Sequence, residues 1–350
     1  MIDQTRLPTA DGGPALGKRD AKLETVALIW GGMPAGVAVS REGRIFLSFP
    51  KWTPQVQYSL GELTKDRGLV AFPDERSHRR GDADGFDSVQ GIFIDDGDRL
   101  WLLDAGAGKL SVVDLSTNRV TKTVPVPQNV MKPAAYFNDL RVDPRRGVEG
   151  TAYISDSLGG GIIVLDVATG EAWRRLKDHP SARAADDVVA EVEGVKLPTF
   201  RGNTDGIALS PDGKTLYYCA FTRRDVYSVP TDALVDRGTS EEQVAAAVKL
   251  IATKPSACDG IGCDAQGRVY TTDHEDNAIR RITPTTDGAD ARVEVIVQDE
   301  RLLWPDAVWL HGGYVYITTN QLNRLPHLHG GKDLRQPPYA LFRYPIDRAK

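Results

Sequence analysis

The chain has 350 residues, 41% of them hydrophobic and 26% charged, with 34 glycines, 21 prolines and a formal net charge of −5. That mildly acidic balance, with 43 Lys and Arg scattered along the chain rather than gathered in a basic stripe, argues against nucleic acid as a partner. No apolar run approaches the roughly 18 residues of a membrane span, and the polar opening residues contain no apolar signal core. As it stands the sequence reads as cytoplasmic, or as periplasmic or secreted if a leader has been removed. The cysteines, Cys219, Cys258 and Cys263, read as buried thiols, with a disulfide from Cys258 to a neighbour as the alternative. Their spacing to histidine matches no structural zinc site.

Residues 1–22 read as a surface tail, and residues 23–350 as one domain. The run LETVALIW at residues 23–30 is strand-like but has no hairpin partner of its own. From Pro34 onward one phrase recurs: an apolar-polar alternation, a turn, and a second alternation. It appears as PAGVAVSREGRIFLSF, then SVQGIFIDDGDRLWLLD from Ser88, YFNDLRVDPRRGVEGTAYISD from Tyr136 and NTDGIALSPDGKTLYYC from Asn203. It returns as ACDGIGCDAQGRVYTTD from Ala257 and WPDAVWLHGGYVYITTN from Trp304. Alternation with period two marks strands with two unlike faces, and the Asp-Gly, Glu-Gly and Gly-Gly pairs suit hairpin turns. Each phrase is followed by a third apolar segment, as in KLSVVDL from Lys109 and GIIVLDV from Gly161.

Aligning the residue ahead of each first strand gives Ala35, Gln90, Asn138, Asp205, Asp259 and Asp306, at intervals of 55, 48, 67, 54 and 47 residues. Those intervals bracket the roughly 40–50 residues of a propeller blade. The expectation is an all-β, six-bladed β-propeller, with blades near 34–74, 88–127, 136–176, 203–248, 257–298 and from 304. A closed ring has no open edge when one blade takes strands from both chain ends. Residues 23–30 are therefore expected to complete the sixth blade beside residues 339–346. The long interval comes from an insertion at 177–202, which is expected to lie over one end of the channel as a lid. Within it, residues 181–194 have the composition of a short helix capped by Ser181 and stopped by Gly194. Residues 240–248 read as a second short helix.

In a propeller the innermost strands converge on the axis, so the aligned residues meet there. Asn138, Asp205, Asp259 and Asp306, with Gln90 beside them, are oxygen-bearing side chains contributed by separate blades. Such a ring suits a hard divalent cation, Ca²⁺ above all, because Ca²⁺ takes six to eight oxygen ligands. Like charges crowded together also call for a counter-charge. His274, after the second strand of the fifth blade, is the histidine candidate for moving a proton. Trp52 and Trp304 are candidates, with Gln90, for holding a substrate. Pro54 and Tyr58 stand in the same aromatic loop as Trp52. No GxSxG and no cysteine with a base partner is present, so nucleophilic catalysis by the protein is disfavoured.

The phrases AYFNDLRVD, AYISDSLGGGIIVLD and DGIALSPDGKTLYYCAFTRRDVYSVP resemble the royal jelly/Yellow family, whose bacterial members are often labelled dopachrome tautomerase-related. The resemblance implies a six-bladed propeller, and a range of roles from dopachrome conversion to the binding of small amines or sterols. A more distant similarity is to the senescence-marker/gluconolactonase group of metal-dependent propeller hydrolases. That similarity implies an axial metal held by a Glu, two Asn and an Asp. Asn138 matches the first Asn, Asp205 stands at the second, and Asp259 matches the Asp, which is also the proposed acid/base. Ala35 stands where the Glu is expected, and that departure leaves three expectations open: a cage displaced toward Asp306, a different ion, or an empty site.

The leading expectation is a metal-assisted hydrolase of a small cyclic ester, with Asp259 or His274 moving the proton. The alternatives are a non-catalytic protein that binds a small amine or aromatic, and a dopachrome-like tautomerase. In each case the partner is a small molecule.

Overall fold

The computed structural model describes residues 5–6, 19–66, 68–79, 85–285 and 291–346. Six antiparallel sheets follow one another around an axis. The first holds Val37–Val39, Ile45–Ser48, Leu60–Thr64 and Gly68–Ala71, and the second runs from Val89–Ile94 to Arg119–Pro125. The third runs from Phe137–Asp143 to Ala172–Arg175, and the fourth from Thr204–Leu209 to Lys249–Thr253. The fifth runs from Ile261–Cys263 to Arg292–Gln298. In the sixth, Pro305–His311, Tyr314–Thr319 and Tyr339–Pro345 are joined by Glu24–Ile29 from the other end of the chain. Ile29 lies opposite Tyr339 and Glu24 opposite Arg343, so the ring closes as the unpartnered run near the start of the sequence requires. Thr5–Arg6 pairs outside Glu24–Ile29, so part of the expected tail adds a short strand to this sheet. The rest of residues 1–18 falls outside the described residues.

Both faces of each sheet are apolar because each packs on its neighbours around the ring. Phe46 and Leu60 of the first sheet interlock with Ile92, Leu100 and Leu102 of the second. Tyr153, Ile162 and Val164 of the third meet Ile207, Leu216 and Tyr218 of the fourth. No sheet could bury its two faces alone, which is why the blades hold together as a single ring.

The expected helix over 181–194 is absent. A 3-10 turn at Pro180–Ala182 is followed by a small hairpin that pairs Glu191–Val192 with Val195–Lys196. Gly194, assigned above as a helix stop, has φ 74° and follows Glu193 at φ 53°; together they form the two left-handed positions of a tight hairpin turn. The β-branched Val188, Val189, Val192 and Val195 favour extended chain over helix in the same stretch. The second expected helix does form, as Glu241–Ala246. Ser240 caps it, and Ser240 and Gln243 bond each other's backbone reciprocally.

The glycine that follows most axial residues has a packing role. A Cβ on Gly206 would lie 2.4 Å from the Asp259 carbonyl oxygen, and one on Gly260 would lie 2.5 Å from that of Asp306. A Cβ on Gly91 would lie 2.7 Å from the Asn138 carbonyl oxygen. The missing side chain lets each innermost strand press against the next, which draws the axial residues together. Among the described residues no helix is long and apolar enough to cross a membrane.

Candidate functional site

The innermost strands do not run smoothly past the axis. Their register slips between Val89 and Ile92, Phe137 and Leu140, Thr204 and Ile207, and Pro305 and Val308. Gln90, Asn138, Asp205 and Asp306 sit at these irregularities. A β-bulge bends a strand and re-aims a side chain; here it turns an oxygen-bearing group into the channel. Asp259 reaches the same level from just ahead of its strand.

Three of these groups are carboxylic acids. Asp205, Asp259 and Asp306 are only 4%, 6% and 7% exposed. Burial, and then the charge of the neighbouring acids, pushes all three well above the usual carboxylate range. Asp205 and Asp259 lie close enough for each to influence the other's protonation. Each acid also receives one neutral N–H. Asn138 Nδ2 donates to Asp205 Oδ2 at 2.7 Å, Trp304 Nε1 to Asp259 Oδ2 at 2.9 Å, and Asn320 Nδ2 to Asp306 Oδ2.

The Asn138 amide is the end of a longer chain. Trp52 Nε1 donates to the Tyr136 hydroxyl at 2.7 Å, and that hydroxyl donates to Gln90 Oε1 at 2.9 Å. Gln90 Nε2 then donates to Asn138 Oδ1 at 3.2 Å. Tyr136 is held in place from behind, because Asp156 Oδ1 accepts its backbone N–H at 2.9 Å. Arg174 pairs with the other oxygen of Asp156 at 2.8 Å. Asp156 therefore anchors this network from outside the channel. Asp139 accepts from Arg141 at 2.7 Å, and Asp273 pairs with Arg280 and with the fully buried Lys254.

Above the acids opens a cavity of about 540 Å³. Its floor is Gln90, Asn138, Asp205, Asp259 and Asp306, and its walls include Trp52, Tyr136, Phe200, Phe221, Leu325 and His327. Phe200, Arg201 and Gly202, at the end of the 177–202 insertion, line it too. Below the acids a small chamber of about 30 Å³ leads on toward Arg141 and Trp309, so the acids divide the channel in two.

Two of the expected site residues stand elsewhere. Trp304 is fully buried and is not part of the cavity wall; it lies behind Asp259 as a hydrogen-bond donor. His274 is likewise 0% exposed, sandwiched between Trp304 at 4.4 Å and Phe221 at 5.2 Å between ring centroids. Burial drives its pKa down to about 3, and neither ring nitrogen meets a hydrogen-bond partner among the described residues. A neutral ring with no path to the cavity is a packing element here, because two aromatic neighbours cover both of its faces. Tyr58 also points away from the cavity, its hydroxyl donating to the Leu69 carbonyl at 3.0 Å. The residues missed in the sequence are Tyr136, Phe200, Phe221 and His327, which lie in connections or strand ends outside the aligned position.

The donor chemistry fits a hard cation, since the five polar side chains on the floor all carry oxygen and the buried acids have no cationic side chain among the neighbours that shift them most. The spacing is less complete: among the described residues no three acid, histidine or cysteine side chains are grouped closely enough to hold an ion. Asn138 turns its amide nitrogen toward Asp205 and its oxygen toward Gln90. The cysteines are free thiols, with Cys219 and Cys258 Sγ atoms 3.2 Å apart directly behind Asp259.

Solved structures share the ring. A gluconolactonase from Xanthomonas campestris superposes with a TM-score of 0.57, at 13% identity, over 97% of this chain and 99% of that one. Virginiamycin B lyase from Staphylococcus aureus gives 0.53 at 15% identity, over 94% and 89%. Sequence relatives are nearer. Protein yellow of Drosophila yakuba is 27% identical over 257 residues, which is 64% of this chain and 47% of the relative. Major royal jelly protein 7 of Apis mellifera is 30% identical over 200 residues, 53% of this chain and 45% of the relative. The matched segment thus spans less than half of either relative. The family description major royal jelly protein matches residues 87–333, and the chain belongs to that family.

Proposed function

We propose that the cavity is a small-molecule site whose acid floor takes positive charge, and that its chemistry is the metal-assisted opening of a small cyclic ester. The observation that carries this reading is the set of three buried carboxyl groups held above their usual range by burial and by one another. A cation on the floor would relieve that repulsion and let the acids ionise. Asp205, Asp259 and Asp306, with Asn138, would hold it. When bound, a divalent cation supplies Lewis acidity, polarising a ring carbonyl and orienting water.

The remaining work falls to the chain. Trp52, Phe200 and Phe221 present apolar faces that seat a compact ring and exclude bulk water from the floor. Asp259 holds or moves a proton at its carboxylate, with Trp304 Nε1 fixing which oxygen faces the cavity. A second reading, a binding protein for a small aromatic amine, is favoured by the same walls and by Ala35 at the position where the hydrolase pattern has Glu. An ammonium would then be the charge on the floor. Chelator-treated protein assayed on a panel of lactones, with and without Ca²⁺, separates the two. Ca²⁺-dependent turnover that disappears in Asp259→Asn supports the hydrolase. Inert lactones together with saturable binding of an aromatic amine support the binding protein.

A further inference from the structure

The hydrogen-bond chain above the acids has a forced direction. An indole N–H can only donate, so Trp52 must give its proton to the Tyr136 oxygen. The Tyr136 proton then goes to Gln90 Oε1, which leaves Gln90 Nε2 to face Asn138. Asn138 must answer with Oδ1, and its Nδ2 is left for Asp205. At the far end a carboxylate oxygen accepts, so the start and the end of the chain agree. The side chain of Trp52 in the first blade's loop thus decides which atom Asn138 shows to the axis.

We infer that Trp52 and Tyr136 are positioning residues that hold Asn138 with its nitrogen on Asp205, so that the axial site admits a cation only when the chain is reversed. This rests on the reading of the floor given above. Reversal turns over both the Gln90 and the Asn138 amides and swings the Tyr136 hydroxyl away from Gln90: Gln90 Nε2 then donates to the Tyr136 oxygen, Gln90 Oε1 accepts from Asn138 Nδ2, and Asn138 Oδ1 is released toward the acids. Trp52 and Tyr136 both line the cavity. A ligand that accepts the Trp52 N–H frees the Tyr136 hydroxyl to turn, so cavity ligand and axial cation bind cooperatively.

The test uses the full chain, ¹⁵N-labelled and metal-free. The side-chain amide signal of Asn138 is identified by its absence from Asn138→Asp. Tyr136→Phe keeps the ring and removes only the hydroxyl. It is expected to shift the Asn138 amide signal and to tighten Ca²⁺ binding by about tenfold, the worth of one hydrogen bond. Trp52→Phe, which leaves the Tyr136 hydroxyl free to point either way, is expected to act in the same direction with a smaller change. Tyr58→Phe, which removes a hydroxyl outside the chain, is expected to change neither readout. An unmoved Asn138 signal in folded Tyr136→Phe overturns the positioning role, and so does a moved signal with unchanged or weaker Ca²⁺ binding. If no variant and no wild-type protein binds Ca²⁺, the cation reading of the floor falls, and the amide signal alone decides whether Tyr136 orients Asn138.

Discussion

The two halves of the ring use one backbone device for opposite chemistry. Blades one to three bring Ala35, Gln90 and Asn138 to the axis, a methyl group and two neutral amides. Blades four to six bring Asp205, Asp259 and Asp306, all buried and all held above the usual carboxylate range. In both halves a glycine often follows the axial residue, and the next strand closes onto it. The scaffold therefore fixes where an axial side chain sits, while its identity fixes what it does. In the proposed function the neutral half orients and the acid half takes the positive charge, the two joined where Asn138 meets Asp205.

The largest effect is expected from making the acid half resemble the neutral one. In the proposed function Asp259→Asn keeps the shape and removes the group that moves a proton; turnover of a lactone substrate should drop by about 10²–10⁴-fold, measured on a variant whose folding is checked by circular dichroism. Retained turnover would break the comparison at its centre. Gly206→Ala tests the shared scaffold instead. Its Cβ would meet the Asp259 carbonyl oxygen at 2.4 Å, and the loss should be about 1–3 kcal/mol in denaturant unfolding.

The pH dependence sharpens the contrast further. An acid whose folded pKa is raised keeps its proton in the folded state after the unfolded chain has lost it, so the folded state binds more protons and stability falls as pH rises. Cation-free protein should thus lose stability progressively above the ordinary carboxylate range, up through the raised values of Asp205, Asp259 and Asp306. Melting temperatures across pH 4–8 check this, and Asp306→Asn should flatten the slope. Gln90→Ala, in the neutral half, should leave it alone.

The smallest effect is expected behind the acid half. His274→Phe replaces a buried ring whose nitrogens meet no hydrogen-bond partner among the described residues with an apolar one of similar shape, so stability should stay within about 1 kcal/mol of wild type. Turnover should hold as well; a collapse of turnover in a folded variant would restore His274 to the chemistry.

Much of the scaffold was legible in the sequence because its signals are local and repeated. Alternation with period two marks strands, and a phrase repeated six times marks blades. The axial residues were legible for the same reason, since they occupy one place in that phrase. The unpartnered strand at residues 24–29 was placed by a topological need, the closing of an edge. What escaped was set by contacts distant in sequence. Trp52 and Tyr136 are 84 residues apart, and nothing in either stretch announces their hydrogen bond. Trp304 and His274 stand beside axial phrases, yet their rings turn into the packing between blades. The helix expected over 181–194 failed because Gly194 serves equally as a helix stop and as a hairpin turn; the pairing of Glu191–Val192 with Val195–Lys196 decides between them.

The most direct test of the proposed cation site is a calorimetric titration of the chelator-treated 350-residue chain with Ca²⁺, beside the same titration of Asp259→Asn. The expected result is saturable binding at a single site in the wild type, with a higher melting temperature when loaded, and at least tenfold weaker binding in the variant. Absence of binding heat together with an unmoved melting temperature in the wild type would contradict the account.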